Sequence, residues 1–180
     1  MIADKYFCDK NKEVLMQQTK TERIGEMVKG LMRAIQQHDM KQVEWLVFRG
    51  ANLNGHYDIH RSTPFMYAMT VFHKAEEIEK LISLGGDVNY KNRRGETALM
   101  IAVENHCADI VPWVMVDYGA ELDVQDVYGN TALMRCLMSQ NPSKKLVYAL
   151  IDYGADLTNL KNNEGLCAFD MLWRGNKWKK

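Results

Sequence analysis

Gly95-Glu96-Thr97-Ala98-Leu99-Met100-Ile101-Ala102 decides the fold, because it returns at a fixed distance on both sides. Thirty-four residues later stands Gly129-Asn130-Thr131-Ala132-Leu133-Met134-Arg135-Cys136, and 34 residues earlier Arg61-Ser62-Thr63-Pro64-Phe65-Met66-Tyr67-Ala68. One step further back the Met column continues with Met32. The residues before the four methionines are Leu31, Phe65, Leu99 and Leu133. Two positions after them come the small residues Ala34, Ala68, Ala102 and Cys136. A period of this length signals an array of stacked supersecondary units.

A second marker runs out of phase with the first. Gly50-Ala51-Asn52-Leu53-Asn54 is echoed at Gly85-Gly86-Asp87-Val88-Asn89, Gly119-Ala120-Glu121-Leu122-Asp123 and Gly154-Ala155-Asp156-Leu157-Thr158. These glycines suit the left-handed residue that ends a helix. Around Met100 the run Leu99, Ile101, Ala102, Val103 is apolar nearly all round, as in a buried helix. The small residue of the column lets the next unit come close. Second helices carry their own start signals. Asp39 and Gln42 have capping-box spacing. Asn141-Pro142 reads as an N-cap followed by Pro at the first helical position, and Pro112, after Asp109, as a first-turn Pro.

The order Gly-x-Thr-Pro-Leu-His-x-Ala, helix pair, Gly-Ala-Asp-Val-Asn resembles the ankyrin repeat. The resemblance covers about residues 24–175, as units 24–54, 55–89, 90–123, 124–158 and 159–175. It implies an all-α ankyrin-repeat solenoid of about five helix-turn-helix units joined by β-hairpin loops, with atypical first and last units acting as caps. Residues 1–23 are an N-terminal extension, either a capping helix or a partner-binding arm, and 176–180 a basic tail. The chain departs from the family in placing Met where the motif has His. Thr63 to Gly85 and Thr97 to Gly119 are also one residue longer than in the common repeat, and Thr131 to Gly154 two longer, insertions expected between the paired helices.

The bulk composition narrows the function. Of 180 residues 47% are hydrophobic and 26% charged, a globular balance. Lys+Arg and Asp+Glu each total 23, so no global field draws the chain to nucleic acid or anionic lipid. The start, Met1 to Lys12, has no apolar core of a signal peptide, and no run approaches the ~20 apolar residues of a membrane span. Cys8, Cys107, Cys136 and Cys167 make no C-x-x-C pair and read as reduced, buried thiols of a cytoplasmic protein. For a pathogen-encoded chain that compartment is the host cytoplasm or nucleus.

Chemistry-bearing residues give no active site. His56 and His60 have i, i+4 spacing, but in a loop rather than on a helix, so a metal is not expected. Cys107 follows His106 in sequence, which is not a nucleophile and base aligned in a pocket. His38, His73 and His106 fall at turns between paired helices. Trp45, in Val43-Glu44-Trp45-Leu46-Val47, is expected in the core, and Trp113 in the core or on the outer face. Trp173 and Trp178 border the basic end, read as a C-terminal cap and solubilising tail. No catalytic, cofactor or metal site is expected.

The family resemblance implies a concave side formed by the hairpin fingers and the exposed ends of the first helices. There the expected partner-binding residues are His56, Tyr57, His60, Arg61, Lys91, Arg93, Arg94 and Tyr128 on the fingers. Val71, Glu104, Asn105 and Met138 are expected exposed at the helix ends. Arg and Tyr are frequent anchors of protein interfaces, and the basic residues of the second and third fingers suit acidic groups on a partner. The expected function is a protein–protein interaction module that occludes or scaffolds its partner, such as an inhibitor of a cellular protein deployed by a virus, phage or other pathogen. The alternatives are a nucleic-acid-associated factor using the basic fingers, or a structural subunit of a larger complex.

Overall fold

The computed structural model describes residues 25–105, 115–139 and 142–174. Expectations about the N-terminal extension, Cys8, His106, Cys107, Pro112, Trp113, Asn141, Trp178 and the basic tail fall outside these residues. The chain divides into two compact units, Met1–Asn52 and Leu53–Lys180. Among the described residues the fold is all-α, without strands.

In the first unit, helix α1 (residues 25–36) is followed by α2 (Met40–Phe48). Leu31, Ala34 and Ile35 of α1, with Val43 and Leu46 of α2, are buried. His38 stands between the helices with φ 55, in the left-handed conformation usually given to Gly or Asn. Asp39 caps α2, its carboxylate accepting from Gln42 N at 3.0 Å. The backbone N–H of Asp39 donates to Ala34 O instead of to a Gln42 side chain, so only half of the expected box forms.

Two expectations are corrected here. Trp45 is 55% exposed, not core. At ~100° per residue it points about 160° away from buried Val43, onto the solvent face. There the Arg49 guanidinium lies 5.1 Å from its ring centroid, a cation–π contact. Met32 is only part-buried, whereas Met66, Met100 and Met134 are buried.

The second unit is a stack of helix pairs. Helix α3 (Pro64–Val71) precedes α4 (Ala75–Ser83), and α5 (Ala98–Glu104) precedes helical residues 115–117, labelled α6. Then come α7 (Ala132–Met138), α8 (Lys144–Asp152) and α9 (Ala168–Arg174). The first helices pile on one another, α3 on α5, α5 on α7 and α7 on α9. Each begins at the Thr of the repeated motif. Thr63, Thr97 and Thr131 accept from Met66 N, Met100 N and Met134 N at 3.2, 3.4 and 3.3 Å. These buried caps stabilise by about 1 kcal/mol each. In the last repeat Cys167 takes the Thr position, and Asp170 Oδ2 accepts from both its N–H and its Sγ–H at 3.1 Å.

Burial explains why the column is Met and small residue. Met66, Met100 and Met134 are at most 1% exposed, and Ala68, Ala102 and Cys136 at most 2%. Truncating such a buried Met to Ala costs about 2–5 kcal/mol. The second helices are amphipathic instead. In α4, Ile78 and Leu81 are buried while Glu76, Glu79 and Lys80 face solvent. Glu76 and Glu77 also sit favourably at the positive end of the helix dipole.

Gly50, Gly85, Gly119 and Gly154 take φ between 82 and 97 just past their helices. Behind each the chain makes the paired bonds of a Schellman close, such as Gly85 N to Ile82 O and Gly86 N to Leu81 O. The α8 start corrects another expectation. Ser143, not Asn141, is the N-cap, accepting from Leu146 N at 3.3 Å, and Pro142 precedes it. The connection between the paired helices α3 and α4 runs over residues 72–74.

Candidate partner-binding face

Each finger is built on an Asx side chain. Asn92 Oδ1 accepts from Arg94 N and Glu96 N, Asp126 Oδ1 from Tyr128 N and Asn130 N, and Asn162 Oδ1 from Glu164 N and Leu166 N, all at 2.8–3.0 Å. In the second finger Asp58 Oδ1 accepts from Ser62 N at 2.7 Å. These bonds close tight turns without help from the helices.

Neighbouring fingers are then tied through backbone. Arg93 N donates to His60 O at 2.8 Å, Val127 N to Arg94 O at 2.9 Å and Asn163 N to Tyr128 O at 2.9 Å. At the finger bases Asn54 and Asn89 bridge consecutive repeats. Asn54 Nδ2 donates to Gly85 O and its Oδ1 accepts from Asp87 N, and Asn89 does the same with Gly119 O and Glu121 N, at 2.8–2.9 Å. Asp123, which can only accept, keeps the second half of this bridge, from Asp156 N at 2.8 Å.

The tips form a row of dipeptides, Ile59-His60, Arg93-Arg94, Val127-Tyr128 and Asn163-Glu164. Ile59 is 78% exposed, Val127 53% and Tyr128 62%. Apolar side chains held out on tied, rigid turns lose little entropy when covered.

The expected site residues divide into free and engaged groups. Arg61 and Lys91 are exposed, and among the described residues neither side chain holds a hydrogen bond or ion pair. Arg93 Nη1 donates to Ile59 O at 3.2 Å, and Arg94 Nη2 lies 3.1 Å from His60 Nε2. A guanidinium has only donors, so the latter contact requires an unprotonated His60 Nε2. His56 Nε2 lies 2.7 Å from Tyr90 Oη. Tyr57 packs edge-on against Tyr67, and burial, with the Asp58 charge second, pushes its phenol pKa up. Asn105 is exposed and turns back to its own helix, Nδ2 donating to Ile101 O at 2.8 Å. Met138 is exposed as expected, but Val71 is only partly so at the end of α3.

Sequence reasoning missed Arg135. Its Nε donates to Asp126 Oδ2 at 2.9 Å, Nη2 to Glu96 Oε1 at 2.9 Å and Nη1 to Glu104 Oε2 at 2.8 Å. The Asp126 side chain is fully buried, and those of Arg135 and Glu96 nearly so, while that of Glu104 is largely exposed. Burial opposes the Arg135 charge, but bonds to Asp126 and Glu96 and their negative charge outweigh it and raise the guanidinium pKa. The signal was an Arg in a column otherwise held by Tyr67 and Ile101. Beside this network opens a cavity of about 390 Å³, bordered by Arg94, Glu96, Glu104, Tyr128, Arg135 and Met138.

Comparison with known proteins agrees with this architecture. Residues 81–134 match the family model for ankyrin repeats (many copies). An ankyrin repeat protein of fowlpox virus, FPV031, is 28% identical over 155 residues, covering 83% of this chain and 44% of its own length. I-kappa-B like protein N2 of Microplitis demolitor bracovirus is 35% identical over 79 residues, 43% of each chain. Human ankyrin repeat and SOCS box protein 6 is 34% identical over 70 residues, 39% of this chain and 17% of its own. The chain thus spans less than half the length of each of these relatives. With its repeated caps, stacked first helices and tied fingers, it is an ankyrin-repeat protein, and ankyrin repeats are protein-interaction modules. No helix among the described residues is long and apolar enough to cross a membrane.

Proposed function

We propose that the chain acts by occupancy, holding a partner protein across its finger tips and the adjoining ends of α5 and α7. The observation that carries this reading is the tied row Ile59, Arg93, Arg94, Val127 and Tyr128, which presents apolar, aromatic and basic groups on turns fixed by their own hydrogen bonds. The row is basic at one end, with Arg61, Lys91, Arg93 and Arg94 on the second and third fingers, and balanced at the other, where Glu164 stands near Lys161 on the fifth. A partner is then set in one direction, its acidic groups on the basic fingers, and mismatched partners are rejected by like charge. Tyr128 and Met138 at the cavity rim supply the apolar anchor.

Its consequence in this reading is blockade or scaffolding of a cellular protein, in the cytoplasm or nucleus, rather than catalysis. The likeness to an I-kappa-B like protein of a virus and to a fowlpox virus protein supports a pathogen-encoded inhibitor. The equality of acidic and basic residues weighs against a nucleic-acid role.

The test compares wild type with Arg93→Glu/Arg94→Glu and, separately, Tyr128→Ala. Partners captured from the producing or host cell are quantified by mass spectrometry, and folding is followed by circular dichroism. The reading expects both variants to fold and to lose the same captured protein. Full retention of that protein by both would move the interface off the fingers.

A further inference from the structure

We infer that Arg61 is the anchoring cation of the finger face, placed where the fold would otherwise use glycine, and that its ligand is a carboxylate cluster on a partner protein. This rests on the reading of the fingers as the partner surface, and it names the residue that reading leaves open.

Arg61, Gly95, Gly129 and Gly165 occupy one position, the residue that closes each finger. Arg61 N donates to Asp58 O at 3.1 Å, as Gly95 N does to Asn92 O, Gly129 N to Asp126 O and Gly165 N to Asn162 O at 2.8–2.9 Å. All four take left-handed φ, 57 at Arg61 and 69, 77 and 76 at the glycines. A long L side chain disfavours that conformation, which is why a turn followed by a left-handed residue ordinarily ends in Gly. Strained backbone that persists at one copy of a repeated turn points to a role for the side chain.

The side chain is in the right place for such a role. Arg61 is exposed, and among the described residues its guanidinium is unspent, as is the ammonium of exposed Lys91 on the next finger. Arg93 and Arg94 already donate to Ile59 O and toward His60, so they supply charge while Arg61 keeps its fork for an outside group. On the same two fingers Asp58 is turned inward to Ser62 N and Glu96 is held by Asn92 and Arg135, leaving the surface there positive. A planar guanidinium takes a carboxylate through two parallel bonds. Protein carboxylates fit better than a nucleic-acid strand, because the row continues into exposed Val127 and Tyr128 and then Glu164.

The experiment uses the full chain and a fluorescein-labelled octaglutamate peptide, read by anisotropy at ~50 mM salt, where screening is moderate. Melting temperatures are taken in parallel. Arg61→Gly is expected to raise the melting temperature and to weaken peptide binding about tenfold, the loss of one charge-assisted contact. Arg61→Lys, which keeps the charge but not the fork, is expected to bind with an affinity between those of wild type and Arg61→Gly, without the thermal gain. Arg61→Gly with wild-type affinity, or with a lowered melting temperature, overturns the inference. If Arg93→Glu/Arg94→Glu abolishes binding while Arg61→Gly does not, the anchor is wrong but the basic finger face stands. No binding of the peptide by wild type overturns both the anchor and the acidic partner. A single-stranded oligonucleotide of equal charge that binds more tightly than the peptide overturns the choice of ligand.

Discussion

The ring of Phe65 fills the space that a side chain on Gly86 would need: a Cβ there would lie 2.4 Å from Phe65 Cδ2 and 3.0 Å from Leu81 O. The equivalent pairs elsewhere are Leu31 with Ala51, Leu99 with Ala120 and Leu133 with Ala155, and all six of those residues are buried. One repeat gives up a methyl on the loop side of the core and carries a ring in place of a leucine side chain on the helix side.

Gly86→Ala is therefore expected to destabilise by about 1–3 kcal/mol, the penalty of overpacking a filled core. Phe65→Leu alone is expected to destabilise by about 1 kcal/mol through the space it opens. The double variant should be more stable than the sum of the two predicts, because each change relieves the other. A double-mutant cycle in urea reads the coupling, and strict additivity would show that the ring does not restrict the loop.

Arg135→Ala strands the fully buried Asp126 carboxylate without its cation, an expected loss of about 3 kcal/mol. Asp126→Asn keeps the turn, since Asn92 and Asn162 perform the same task at the equivalent positions. Adding Asp126→Asn to Arg135→Ala should recover part of the loss. Denaturant midpoints of the two variants check this, and no recovery would mean that the arginine stabilises by packing alone.

Asp156 gives a pH dependence. Hydrogen bonds, the Asn159 side chain first and then Leu160 N and Asn159 N, lower its pKa below 3.8. Its folded pKa lies under its unfolded value, so its contribution to stability is complete above that unfolded value. It fades as pH falls through the folded one. Asn159→Ala should raise the Asp156 pKa toward 3.8 and cost stability at neutral pH, with the difference from wild type vanishing in stronger acid. Carbon-detected NMR titration of the Asp156 carboxyl reads the shift, and an unmoved pKa would contradict the assignment.

The repeat itself was legible because its caps and core are local. The Thr that starts a helix, the Met three residues on and the Gly that ends the next helix lie within one unit, so spacing alone exposes them. Trp45 was misplaced because an apolar run does not state its phase around the helix, and its neighbour Val43 owns the buried side. Asn141-Pro142 misled because Ser143, an equally good cap, follows at once. The Arg135 network stayed hidden because its partners are 9, 31 and 39 residues away and meet only when fingers and helices are stacked. The strain at Arg61 was visible only as a missing Gly, and its meaning required the backbone angle.

The central claim is that a partner protein lies on the finger tips. Benzoylphenylalanine replacing Tyr128 at the tip of the fourth finger, or Tyr148 on α8, tests it by photocrosslinking in the cell, since both tyrosines are exposed and both rings tolerate the change in size. The account predicts that the Tyr128 position crosslinks to a partner and the Tyr148 position does not. Crosslinking from the Tyr148 position with none from Tyr128 would contradict it.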